Sequence, residues 1–108
     1  MIKMKKTSGD IQIEYTKGDT FMFGVTSEEN FESGMKLRLQ ISPSGDTDNI
    51  VITKTFPLSE NKCIVTLTES EANLLVIGTI YDYRLTFINA NNTASTTISG
   101  LLNIKWGA

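Results

Sequence analysis

The feature that most constrains this chain is a two-residue alternation of apolar and polar side chains, repeated along its length and cut into short runs by turn-forming residues. Met35, Leu37, Leu39 and Ile41 fall on one side of an extended backbone and Lys36, Arg38 and Gln40 on the other, because successive side chains of a strand point to opposite faces. The same alternation puts Ile11, Ile13 and Tyr15 against Gln12, Glu14 and Thr16, and Phe21, Phe23 and Val25 against Thr20, Met22 and Gly24. Ile50, Ile52 and Phe56 begin a further strand that Pro57 terminates. Cys63, Val65 and Leu67 form another, where Ile64 on the opposite side implies partial cover on both faces. The longest run, Thr79 to Ile88, sets Tyr81, Tyr83, Leu85 and Phe87 against Asp82, Arg84 and Thr86. Composition agrees: Thr (14) and Ile (12) are the commonest residues and Ala occurs only 4 times, a supply of β-branched side chains that suits pleated surfaces.

The runs are separated by Lys17-Gly18-Asp19, by a polar stretch from Ser27 to Gly34 anchored by Phe31, by Ser42 to Asp48, by Ser59-Glu60-Asn61 and by Asn89 to Asn92. Thr68-Glu69-Ser70-Glu71 has the form of a capping box and predicts a single helical turn ended by Gly78. In the last segment, Thr93 to Trp106, Gly100 marks an expected β-bulge. About seven short strands without βαβ alternation predict an all-β, immunoglobulin-like two-sheet antiparallel sandwich with one short helical turn, a small closed barrel being the alternative. The 108 residues suffice for one domain, read as a β-sandwich over residues 10–108 preceded by a flexible basic N-terminal arm over residues 1–9.

Much familiar chemistry is excluded by residue type. There is no His, and the only Cys is Cys63, which rules out imidazole bases, Ser-His-Asp triads, Cys-His pairs and an internal disulfide. Cys63 on an alternating strand reads as a small core hydrophobe. Glu28, Glu29 and Glu32 lie in a polar loop and read as solvated charges, and Asp46-x-Asp48-Asn49 lacks the Gly and distal Glu of a calcium loop. The Lys17-Gly18-Asp19 turn does not continue into a phosphate-binding loop, and Asn91-Asn92-Thr93 reads as a hairpin turn in which Asn adopts positive φ. No catalytic, cofactor or metal residues are therefore assigned. A net charge of -2 has the wrong sign for a nucleic-acid binder. The basic start is not followed by an apolar segment, and the longest apolar run, Leu74 to Ile77, is too short to span a bilayer, so synthesis in the cytoplasm without a signal peptide or membrane association is expected. Tyr81 and Tyr83 either line a sugar-binding face or serve as core and corner hydrogen-bond residues, the second being preferred. Trp106 either caps the core or projects toward a partner; with Lys3, Lys5 and Lys6 it is the candidate interface.

Four signatures occur in order: Ile13-x-x-x-Lys17-Gly18-Asp19-Thr20-Phe21, Leu67-Thr68-x-x-Glu71, Gly78-x-x-Tyr81-Asp82-Tyr83-Arg84-Leu85, and Ser99-Gly100-x-x-x-Ile104-Lys105-Trp106-Gly107. Together they resemble the N-terminal immunoglobulin-like domain of upper baseplate proteins from phages of Gram-positive bacteria, and related prophage tail modules, over residues 10 to 107. Those proteins usually continue into a helical or fibre region, whereas this sequence stops at Ala108, which implies a stand-alone or excised module. The resemblance implies a non-enzymatic virion structural protein of the tail or baseplate, docking on neighbouring subunits and self-associating within a virion or tail-like particle. A carbohydrate-binding or adhesion module is the alternative, favoured if Tyr81, Tyr83 or Trp106 stand exposed side by side.

Overall fold

The computed structural model describes residues 2–7 and 10–106, with side chains from Gln12 onward, Thr96 excepted. The expected alternation becomes eight strands and one short helix: β1 (Ile2–Thr7), β2 (Asp10–Thr16), β3 (Met22–Thr26), β4 (Lys36–Pro43), β5 (Ile52–Pro57), β6 (Lys62–Thr66), α1 (Glu69–Ala72), β7 (Ile80–Ile88) and β8 (Ala94–Lys105). They form a mixed six-stranded sheet in the order β1-β2-β8-β7-β4-β5 and a two-stranded antiparallel sheet, β3-β6; neither is closed. One core holds the inward residues of both sheets. Leu37, Leu39 and Ile41 of β4 are buried beside Tyr83 and Leu85 of β7, while Phe23, Cys63 and Val65 supply the smaller sheet. Phe21, just ahead of β3, packs its ring 5.0 Å from that of Tyr15 on β2 and so ties the two sheets together.

Two expectations are corrected. Pairing is not wholly antiparallel: β2 runs parallel to β8, Ile13 standing opposite Leu102 and Tyr15 opposite Ile104. Alternation assigns faces but not neighbours, and two strands joined through the whole domain are free of the hairpin constraint that forces antiparallel pairing. The irregularity in β8 is not at Gly100, which stays in register opposite Tyr83, but between Phe87 and Ile88, where the register skips Ser95. The Ser95 hydroxyl donates to the Phe87 carbonyl at 3.2 Å there, and Gly100 leaves the inner face opposite Tyr83 without a side chain. Ile64, expected to be partly covered, is 43% exposed on the outer face of the two-stranded sheet. Residues 2–7, within the segment expected as an arm, pair antiparallel with β2 as β1.

Local signals were realised where they were self-contained. The Thr68 hydroxyl accepts from the Glu71 N–H at 3.2 Å and the Glu71 carboxylate accepts from the Thr68 N–H at 2.8 Å, completing the capping box. Asn92 has φ 66° in the β7–β8 hairpin. Phe31 anchors its loop by stacking on Phe87, with 5.8 Å between ring centroids. Tyr81, 4% exposed at the start of β7, accepts from the Val76 N–H at 2.9 Å and clips the preceding loop to the sheet. Tyr81→Phe is expected to lower stability by about 1 kcal/mol, because the Val76 N–H loses the acceptor of a part-buried hydrogen bond while the ring packing stays. Chemical denaturation of the two proteins measures this as a shift in midpoint at unchanged slope.

Candidate functional site

Four of the exposed apolar residues, Leu74, Val76, Ile77 and Trp106, lie on segments at the end of the large sheet where β8 finishes, whereas Met22, Ile50 and Ile64 are exposed elsewhere. The Gly78 N–H donates to the Ile104 carbonyl at 3.1 Å and the Lys17 N–H to the Lys105 carbonyl at 3.0 Å, so the α1–β7 loop flanks the end of β8 on one side and the β2–β3 turn on the other. Trp106 follows directly and is 75% exposed: of its two expected placements, projection into solvent is the one adopted. Leu74 and Val76, in the loop beside it, are more than half exposed, and Ile77 is partly so. These side chains face outward because Leu75, wholly buried between them, is the loop's core anchor, and because the loop's ends are pinned elsewhere. One pin is the Tyr81 clip; the other is Lys17, whose ammonium donates to the Ala72 carbonyl at 2.9 Å and the Leu75 carbonyl at 2.5 Å. Those carbonyls close the short helix and the turn after it, and the cation is placed where their dipoles point.

The other expected interface residues lie in β1, the border strand of the large sheet. Lys3 stands in register with Glu14, Lys5 with Gln12 and Lys6 with Ile11. Glu14 is in turn opposite Asn103 of β8, so Lys3 and Trp106 lie toward the same end of the sheet and Lys5 and Lys6 further from it. Glu14 also pairs with Lys105 at 3.1 Å on the outer face of that sheet.

Burial pushes the Cys63 thiol above its ordinary range, and at 7% exposure it packs as a core side chain. Burial likewise raises the Tyr15 hydroxyl, against a smaller opposing effect of the Gly18 backbone; the hydroxyl donates to the Asp19 carbonyl at 2.6 Å and closes the β2–β3 turn. Glu71 is held below its usual range, first by the Thr68 N–H and then by Lys54, whose Nζ lies 2.9 Å from Oε1. A depressed folded pKa gives stability that is present above the unfolded value and lost as pH falls through the folded one. The stability difference between the wild type and Glu71→Gln is therefore expected to be largest near neutral pH and to shrink on acidification below about 4.5, as paired thermal melts across that range will read.

Glu28, Glu29 and Glu32 are exposed, and the Asp46 to Asn49 segment is a backbone turn in which the Asn49 N–H donates to the Asp46 carbonyl at 3.1 Å. Among the described residues, no three His, Cys, Asp or Glu side chains converge as metal ligands, and no helix is long and apolar enough to cross a membrane. A concavity of about 540 Å³ lies between the 27–35 loop and the β7–β8 hairpin; its one aromatic, Phe31, is half-buried on Phe87. Tyr81 and Tyr83 are both in the core, away from Trp106 in solvent exposure. Sequence reasoning missed Leu74, Val76 and Ile77 as surface residues, although the apolar run that contains them was visible. No protein-family model, curated protein or solved structure matches this chain.

Proposed function

We propose that this protein is a non-enzymatic structural module of a phage or prophage virion, an immunoglobulin-like sandwich of the tail or baseplate that docks on neighbouring subunits through its Trp106 end. The immunoglobulin-like reading is supported by the pairing of β3 with β6 against a sheet centred on β8, β7 and β4, and by the tyrosine that clips the loop before β7. The resemblance carried by the Gly18-Asp19 turn, the Glu71 turn and the Gly78-x-x-Tyr81 strand supports the virion setting.

The observation that carries the docking role is the exposure of Leu74, Val76 and Ile77 on a loop that is pinned by Tyr81 and Lys17 and bonded to Ile104, two residues before the exposed Trp106. Apolar side chains presented on a pinned backbone lose little conformational freedom when covered, which is what a structural interface needs. A carbohydrate-binding role has less behind it, since the tyrosines that would flank Trp106 are consumed by the core. The reading is tested by placing Val76→Asp and Trp106→Ala in the source organism. Particles are expected to form without the chain, or not at all, while the variant protein keeps its wild-type melting temperature. Normal incorporation of both variants would contradict it.

A further inference from the structure

Strands β1 and β5 border the six-stranded sheet, and both strands of the small sheet are borders themselves. A bare border exposes unpaired N–H and C=O groups to any passing strand, so proteins blunt such strands with charge, proline or inward-pointing ions. β5 has Pro57 and an inward Lys54 neutralised by Glu71. β6 opens on Lys62, which also bridges to Ser59. β1 carries three lysines in six residues. β3, Met-Phe-Gly-Val-Thr, carries neither charge nor proline.

The direction of its free groups follows from the ladder. The Leu67 N–H donates to the Phe21 carbonyl at 3.1 Å and the Ser27 N–H to the Asn61 carbonyl at 2.9 Å, one at each end of β3–β6. Antiparallel bonding alternates, so Met22, Gly24 and Thr26 aim their backbone groups away from β6. All three are exposed, and Gly24 has no side chain to hold a second backbone off. Where β3 ends, the chain enters the loop with Glu28, Glu29 and Glu32, all exposed.

We propose that the open border of β3 accepts β1 of a second copy of this chain, so that the six-stranded sheet of one copy continues into the two-stranded sheet of the next. The three lysines of β1 repel another β1, which disfavours a symmetric β1–β1 dimer, and complement the three glutamates beside β3. The strands match in length, six residues against five. The contact joins two different surfaces, so it propagates head to tail into a ring or filament rather than stopping at a pair. It uses strand borders rather than the Leu74, Val76, Ile77 and Trp106 side chains, although the Lys3 end of β1 lies toward Trp106.

Sedimentation velocity of the full chain, from micromolar to millimolar concentration, is the test. The wild type is expected to associate with rising concentration and to return toward monomer in high salt, which screens the lysine–glutamate attraction. Met22→Lys, at a side chain already 53% exposed, is expected to weaken association about tenfold or more with an unchanged melting temperature. A chain with Lys3→Glu, Lys5→Glu and Lys6→Glu, and another with Glu28→Lys, Glu29→Lys and Glu32→Lys, are each expected to stay monomeric alone and to associate when mixed, which misfolding would not produce. A wild type that stays monomeric at millimolar concentration, association unaffected by Met22→Lys, or a mixture that fails to associate would each overturn the proposal. Trp106→Ala is expected to leave this association intact, so its outcome is independent of the docking role.

Discussion

Replacing Leu39 by Ala is expected to cost about 3 kcal/mol and to lower Tm by roughly 15 °C. Leu39 is 1% exposed at the centre of β4, opposite Leu85 of β7 and Lys54 of β5, with the small sheet covering its inner face. The deletion removes a transfer contribution and leaves a cavity that extended strands on both sides cannot collapse into. Against a total stability of about 5–15 kcal/mol for a domain, that is a large share. Leu101→Ala, on the outer face of β8 and 37% exposed, is expected to change stability by less than about 1 kcal/mol. Thermal melts of the pair separate a core flanked by two sheets from a single sheet with two equivalent faces, in which both substitutions would cost alike.

Lys17→Ala is expected to cost about 2 kcal/mol, a large effect for a surface-turn lysine. Its ammonium is the shared donor to the Ala72 and Leu75 carbonyls, so truncation unties the β2–β3 turn from the loop that presents Leu74, Val76 and Ile77. Charge-assisted hydrogen bonds of this kind exceed neutral ones, and no other side chain takes over the two carbonyls among the described bonds. Hydrogen exchange is expected to show faster amide exchange over residues 74–79 in the variant and little change in β4 or β7. Unchanged exchange in that loop would mean that the Tyr81 clip alone holds it.

The physical range of each signal explains which parts of this architecture were legible in the sequence. The inward set Leu37, Leu39 and Ile41, the capping box between Thr68 and Glu71, the positive φ of Asn92 and the burial of Cys63 depend on side-chain period or on neighbours a few residues apart. The parallel union of β2 with β8, the position of β1 and the inward Lys54 depend on which distant segments meet, and alternation carries no such information. The bulge was misplaced because Gly100 is only one way to interrupt a strand; the hairpin at Ser95 was the cheaper place, lying at the sheet's end. For the candidate site, Trp106 was visible as an apolar residue near the chain's end, but its exposure was not. Leu74 to Ile77 reads in the sequence only as an apolar run too short for a membrane, since the bonds that pin the loop outward, from Lys17 and from Gly78 to Ile104, cross the chain.

The most direct measurement is quantitative mass spectrometry of purified particles from the source organism, with peptides of this chain counted against those of the capsid and tail subunits. A structural module is expected at a fixed stoichiometry to a tail or baseplate subunit, constant across density-gradient fractions. Absence from intact particles, with the protein abundant in the same lysate, would contradict a structural role in the virion.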